Sequence, residues 1–283
     1  MEMGRLMDLE SARDGSRLAL SRALTQVENG AAFNTDEDGF ILGVTGAPGV
    51  GKSCLVDQLA KAYVKKGEKV AILAVDPSSP VSGGALLGDR LRMDSADLED
   101  SVYMRSVATR GEAGAVPSVV IGMTNVLKEC GWKRILIETV GSGQSEFRVA
   151  SIADTILLVE SPGRGDVIQA EKAGIIELVD VVAVNKSDLD GAESTAADIS
   201  NAISAGPREI QVALVSAQTG DGVDELIEIM EGVSGNQFSR TRWRERMHSE
   251  WMRLLTMNPD FENILDSLES GDIELSEAIE KMR

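Results

Sequence analysis

Unbroken apolar runs of strand length alternate along the chain with stretches whose apolar positions recur every three or four residues. Phe40-Ile41-Leu42-Gly43-Val44-Thr45, Val70 to Val75, Ile135 to Ile137, Thr155 to Val159, Val181 to Val184 and Val212 to Val215 form the first kind, with Val102 to Arg105 as a shorter candidate. Strands without polar alternation are buried on both faces, as in parallel sheets. Cys54 to Tyr63 and Val119 to Leu127 carry helical spacing between them. This predicts an α/β fold, a mostly parallel sheet covered by helices on both faces. Ligands of such sheets bind at the carboxyl ends of the strands.

The flanks read differently. Leu18, Leu20, Ala23, Leu24 and Val27 predict one N-terminal helix through about residue 30, ended at Glu28-Asn29-Gly30. Beyond Gly232 no strand pattern remains, and Arg240 to Leu255, Pro259 to Leu268 and Leu275 to Met282 read as helices. On the first of these, Trp243, Met247, Trp251 and Leu254 fall on one stripe. Either the stripe folds back on its own domain or it anchors an interface; large aromatics on an appended helix favour the interface. The cluster Arg240, Arg242, Arg244 and Arg246 is read as a helix rim beside acidic neighbours.

Candidate chemistry sits at the predicted strand ends. Gly46-Ala47-Pro48-Gly49-Val50-Gly51-Lys52-Ser53 is G-x-x-x-x-G-K-S between a strand and a helix, the context a phosphate-binding loop requires. Its backbone N–H groups and the helix N-terminus favour phosphate, Lys52 reaches the β- and γ-phosphates, and Ser53 is a Mg²⁺ ligand. Cys54 follows in the first turn, where a buried small side chain is expected. Asn185-Lys186-Ser187-Asp188 is N-K-x-D after a Val-rich strand, the pattern that reads guanine through its N1–H and exocyclic amine. Ser216-Ala217 after the last strand matches a second base-contacting loop. Glu138-Thr139-Val140-Gly141 stands where an acid contacts Mg²⁺ and a glycine N–H senses the γ-phosphate. Asp76 and Asp89, the latter in a glycine-rich loop, can hold Mg²⁺ waters or orient the attacking water; a turn residue and a solvated charge are their plainer readings. Gln144 is read as structural. The site therefore calls for GTP/GDP and Mg²⁺. The expected boundaries are an N-terminal helical extension over 1–37, a P-loop NTPase domain over 38–232 and a helical arm over 233–283.

Composition narrows the classes. A net charge of −18, from 46 acidic and 28 basic residues, argues against a nucleic-acid surface. Aromatics are 4% of the chain, so the core must be aliphatic. The two cysteines, Cys54 and Cys130, have no metal or redox spacing and fit a reducing compartment. His248 is the only histidine, which excludes His-built metal centres and Ser-His-Asp chemistry. Without an apolar run near ~18 residues no membrane span is expected. The acidic N-terminus does not resemble a leader, so a cytoplasmic protein is expected.

Taken together, G-A-P-G-V-G-K-S, V-D-P-S-S-P, G-G-A-L-L-G-D-R-L-R-M, E-T-V-G-S-G-Q-S-E, P-G-R-G-D-x-x-Q-A-E-K-A-G-I and V-N-K-S-D resemble the MeaB family, also called the ArgK or methylmalonic aciduria type A family. The resemblance covers most of the chain. It implies a GTPase chaperone that couples GTP hydrolysis to delivery and protection of the cofactor of an adenosylcobalamin-dependent acyl-CoA mutase, such as methylmalonyl-CoA mutase. It also implies a homodimer through C-terminal helices. Lys52 and Ser53 would then serve phosphate and Mg²⁺; Asp76, Asp89 and Glu138 Mg²⁺ and hydrolysis; Asn185, Lys186 and Asp188 guanine. Ser161 to Lys172 matches a loop that communicates with the mutase. Thr109 to Ala115 departs from the family pattern of His followed by Leu-Gly-Gly. Three alternatives stand beside this reading, one of them a pure binding module that holds nucleotide without hydrolysing it. A kinase or ATPase linked to amino-acid transport would need a phosphoacceptor, and none is identifiable. A metal-insertion GTPase would need Cys/His clusters, which the chain lacks.

Overall fold

The computed structural model describes residues 8–76, 100–108, 116–139, 149, 151–163, 176–204, 210–233, 240–256 and 258–282. Asp89, Gly141, Gln144 and the stretches 109–115 and 164–172 lie outside them, as does the side chain of Asp76.

The predicted strands all form. They are β1 (Phe40–Thr45), β2 (Val70–Asp76), β3 (Val102–Ala108), β4 (Arg134–Thr139), β5 (Thr155–Glu160), β6 (Val181–Val184) and β7 (Gln211–Leu214). They make one sheet in the order β3-β2-β4-β1-β5-β6-β7, and every pairing is parallel. The helices are α1 (Leu9–Arg13), α2 (Arg17–Glu28), α3 (Lys52–Lys65), α4 (Val116–Glu129), α5 (Ala192–Ser204), α6 (Val223–Gly232), α7 (Arg240–Thr256), α8 (Phe261–Glu269) and α9 (Leu275–Lys281).

The apolar runs are continuous because both faces are covered. Ile41, Ile135 and Leu73 pack with α2, α4 and α5, while Leu42, Leu136 and Ile72 pack with α3 and α6. β7 departs from the rule: it is an edge strand, and Leu214 is exposed. Gly43 of β1 has a steric reason. A Cβ there would lie 2.5 Å from Val149 Cγ1, so only glycine lets the chain before β5 cross β1.

Two expectations for the N-terminus fail. One helix was expected, but Gly15 at φ +97° breaks it, and Ser16 starts α2 afresh by accepting the Ala19 N–H through its side chain. Leu18 is exposed rather than in the stripe; Ala19, Leu20, Ala23, Leu24 and Val27 form the buried face. That face lies tightly on α4, since a Cβ on Gly122 would stand 2.7 Å from Val27 Cγ1.

The arm is anchored by charge. Arg242 of α7 is wholly buried and donates to Asp180 Oδ2 at 2.6 Å and to the Ala153 carbonyl. Arg246 donates to the Ser151 carbonyl at 2.9 Å. The acidic neighbour expected for this cluster is present, but the pair is interior rather than on a rim. Trp243, Met247, Trp251 and Leu254 remain exposed, so α7 uses its arginine side, not its aromatic stripe, to meet the α/β domain.

A nucleotide site at the carboxyl edge of the sheet

β1 lies between β4 and β5, with β2 and β3 beyond β4 and β6 and β7 beyond β5. The chain leaves in opposite directions on the two sides of β1, and a crevice forms where the strand order reverses. The G-x-x-x-x-G-K-S loop, Asn185 and Ser216 follow strand ends on that edge, and Glu138 is the penultimate residue of β4 there.

The loop's conformation is dictated by close approach. Gly46 has φ +142°, and a Cβ on it would sit 2.2 Å from the Val159 carbonyl oxygen. Gly51 has φ +95°, and its Cβ would meet Asn185 Nδ2 at 2.3 Å. No side chain fits at either place. The loop feeds into α3, whose N-terminus brings unsatisfied N–H groups and a partial positive charge to the same spot. Lys52 is 7% exposed, and its Nζ donates to the carbonyls of Gly46 at 2.9 Å and Ala47 at 3.1 Å. The ammonium is thereby held across the loop it would share with phosphates.

Ser53 and Glu138 meet although 85 residues separate them: the hydroxyl donates to Glu138 Oε1 at 2.6 Å. Glu138 is buried at the end of β4. A hydroxyl and a carboxylate are hard oxygen donors, which suits Mg²⁺. Asp76 ends β2, two strands from β1 on the Glu138 side. Among the described residues no group of three or more His, Cys, Asp or Glu gathers to hold a metal.

Two side chains, Asn185 and Lys186, tie the base loops to the phosphate loop. Asn185 is buried; its Nδ2 donates to the Val50 carbonyl at 2.9 Å and its Oδ1 accepts the Ala217 N–H at 2.9 Å. Lys186 adopts φ +61°, uncommon for a side-chain-bearing residue, and its Nζ donates to the Gly49 carbonyl at 3.0 Å. Ser216 donates to Asp188 Oδ1 at 2.6 Å. A carboxylate has about four lone-pair sites, so Asp188 retains capacity for the two donors of a guanine edge. Pro48 belongs to the same loop, and Gly141 and Asp89 are not placed.

Cys54 corrects an expectation. It is exposed, not buried, because Leu55 and Val56 take the core-facing positions of that turn and each helical residue rotates by about 100°. Gln58 was missed altogether. It lies on α3 and donates to the Ala217 carbonyl at 3.1 Å. No sequence pattern marks it, because only folding brings α3 against the turn after β7.

A sequence model of the family described as methylmalonyl Co-A mutase-associated GTPase MeaB matches residues 15–267. The chain belongs to the MeaB family. A Pyrococcus abyssi protein is 41% identical over 196 residues, which are 66% of this chain and 60% of that one. The mouse methylmalonic aciduria type A homolog, a mitochondrial protein, is 35% identical over 238 residues, 80% of this chain and 56% of that one. The chain thus spans somewhat over half the length of these two relatives. Among solved structures, the LAO/AO transport system kinase superposes with a TM-score of 0.61 at 22% identity, covering 97% of this chain and 95% of that one. That likeness speaks for the P-loop NTPase fold. Membership in a GTPase family agrees with the N-K-x-D loop and with its position beside the phosphate loop. Among the described residues no helix is long and apolar enough to cross a membrane.

Proposed function

We propose that this MeaB-family chain hydrolyses GTP and uses the cycle to assemble and protect an adenosylcobalamin-dependent acyl-CoA mutase, methylmalonyl-CoA mutase or a relative. The observation that carries the nucleotide part is the Asn185 bridge, which joins Val50 of the phosphate loop to Ala217 of the base loop. The mutase enters through the family, and the name of the mouse relative points the same way.

In this reading Lys52 neutralises phosphate charge and the α3 N-terminus orients the phosphates. Ser53 and Glu138 would hold Mg²⁺ together with Asp76 and Asp89. When bound, the ion offsets the charge that develops on the transferred phosphoryl group. Asp188, oriented by Ser216, selects guanine. Bound cobalamin belongs to the mutase, since D-x-H-x-x-G, which supplies a histidine ligand, is absent here. Residues 1–37 and 233–283 flank the GTPase domain in this account. The arm forms a homodimer through Trp243, Met247, Trp251 and Leu254, all exposed, with Trp251 at 61%. Two cysteines outside any disulfide fit a cytoplasmic site of action.

The test combines the chain with a purified adenosylcobalamin-dependent acyl-CoA mutase. Complex formation should depend on which guanine nucleotide is present, and the mutase should raise the GTP turnover rate. No complex with any nucleotide and an unchanged rate would refute the partner assignment. Light scattering checks the dimer: Trp251→Asp should yield a monomer, and a wild-type monomer would refute it.

A further inference from the structure

Gln58 occupies a position that the roles above leave unexplained. Its Nε2 donates to the Ala217 carbonyl, and its Oε1 faces Gly220, where an added Cβ would stand 3.7 Å away. The half-buried amide therefore lies under the Ser216–Gly220 turn. That turn closes on itself through Gly220 N–H to the Ser216 carbonyl at 2.8 Å and Thr219 N–H to Ser216 Oγ. The N–H of Ala217 goes to Asn185. Both backbone polar groups of Ala217 are thus held by side chains, one rooted in α3 and the other bonded to the phosphate loop. Ser216, the residue before it, carries the hydroxyl that donates to Asp188.

We propose that Gln58 is a positioning residue for base specificity. It fixes the height of the Ser216–Gly220 turn against α3, so that base edge and phosphates are read by one rigid unit. The proposal rests on the reading that this turn and Asp188 face guanine. A hydrogen bond loses most of its strength within a few tenths of an ångström and some tens of degrees, so a base-reading backbone needs an external strut. The turn keeps its internal bonds without Gln58, which means the turn survives but its placement loosens. The loss should therefore fall on base discrimination and spare phosphate binding.

The experiment measures GDP and ADP affinities of the full chain by displacement of a fluorescent GDP analogue. The variants are Gln58→Met, similar in shape with no donor, and Gln58→Glu, which sets a carboxylate against the carbonyl. GDP affinity should fall about five- to tenfold in Gln58→Met, the effect of one lost hydrogen bond, and further in Gln58→Glu. ADP affinity should change less than about twofold, because ADP presents the same phosphates without the guanine edge. The GDP/ADP ratio thus shrinks. An unchanged ratio in both variants, or parallel losses for both nucleotides, would overturn the proposal and leave Gln58 a structural residue. A wild-type chain that does not prefer GDP over ADP would instead refute the guanine reading, and this proposal with it.

Discussion

Replacing Arg242 should unseat the C-terminal arm at a cost out of proportion to one surface-helix residue. The guanidinium is 0% exposed, bonded to Asp180 Oδ2 at 2.6 Å and to the Ala153 carbonyl. Asp180, itself buried, also accepts the Ile156 N–H at 2.9 Å, so it cannot turn away to water without leaving that buried N–H of β5 unbonded. Arg242→Met takes the arginine charge away from that interior carboxylate, and breaking a buried pair from one side costs about 3–5 kcal/mol. Removing both charges while keeping volume is far milder. Arg242→Met with Asp180→Asn should cost only about 1–2 kcal/mol, because neither partner is stranded. With Asp180→Asn alone costing about as much as the arginine single variant, the coupling between the two sites should be about 4 kcal/mol or more. Lys281→Ala, which breaks the half-exposed Lys281–Glu277 pair, is the control and should cost less than about 0.5 kcal/mol. Urea unfolding of wild type, Arg242→Met, Asp180→Asn, the double variant and the control gives these numbers from midpoint and slope. A single-mutant cost below about 1 kcal/mol, or additive effects in the double mutant, would refute the argument that the arm is held by a desolvated ion pair.

Two further outcomes follow from other parts of the molecule. The Glu129 carboxyl is held below its ordinary value first by the Thr35 hydroxyl and then, against the opposing effect of burial, by Arg13. A depressed carboxylate stabilises above its unfolded value, and that stabilisation disappears as pH falls through the folded one. Glu129→Gln should therefore lose less stability than wild type on acidification below the ordinary carboxylate range, and parallel acid melting curves would contradict this. Burial pushes the Cys130 thiol up to about 11, whereas Cys54 is exposed beside Ser53. Iodoacetamide at pH 8 should label Cys54 alone, as mass spectrometry would show, and GDP should protect it; labelling of Cys130 in the folded protein would contradict the burial argument.

The strands were legible because parallel strands buried on both faces have no polar alternation to blur them. The turns after β1 and β6 stood out in the sequence because close backbone approach forces residue types at fixed spacing. Gly46 and Gly51, for instance, have no room for a Cβ. Less was legible where three-dimensional approach decides. Leu18 fitted a helical stripe, yet the break at Gly15 sets the phase of α2 and turns Leu18 outward. The Asp14-Gly15-Ser16 signal was in the sequence but lay inside an apparently continuous pattern. Cys54 was placed on the wrong side of its turn for the same reason of helical phase. Arg242 read as one of four alternating arginines; only Asp180, 62 residues away in sequence, distinguishes it. Gln58 and Ala217 are 159 residues apart and share no motif.

The guanine-reading role proposed for Asp188 is the point on which the account turns, and an orthogonal-nucleotide measurement tests it most directly. Steady-state hydrolysis of GTP, ATP and xanthosine triphosphate would be compared in wild type and Asp188→Asn, with Mg²⁺ present. Wild type should hydrolyse GTP in strong preference to the others. Asp188→Asn should lose on the order of 2–4 kcal/mol toward GTP in kcat/KM, because one guanine donor then faces an amide N–H instead of a carboxylate oxygen, and should gain xanthosine triphosphate as its best substrate. Equal use of ATP and GTP by wild type, or a variant that keeps its GTP preference, would contradict the account.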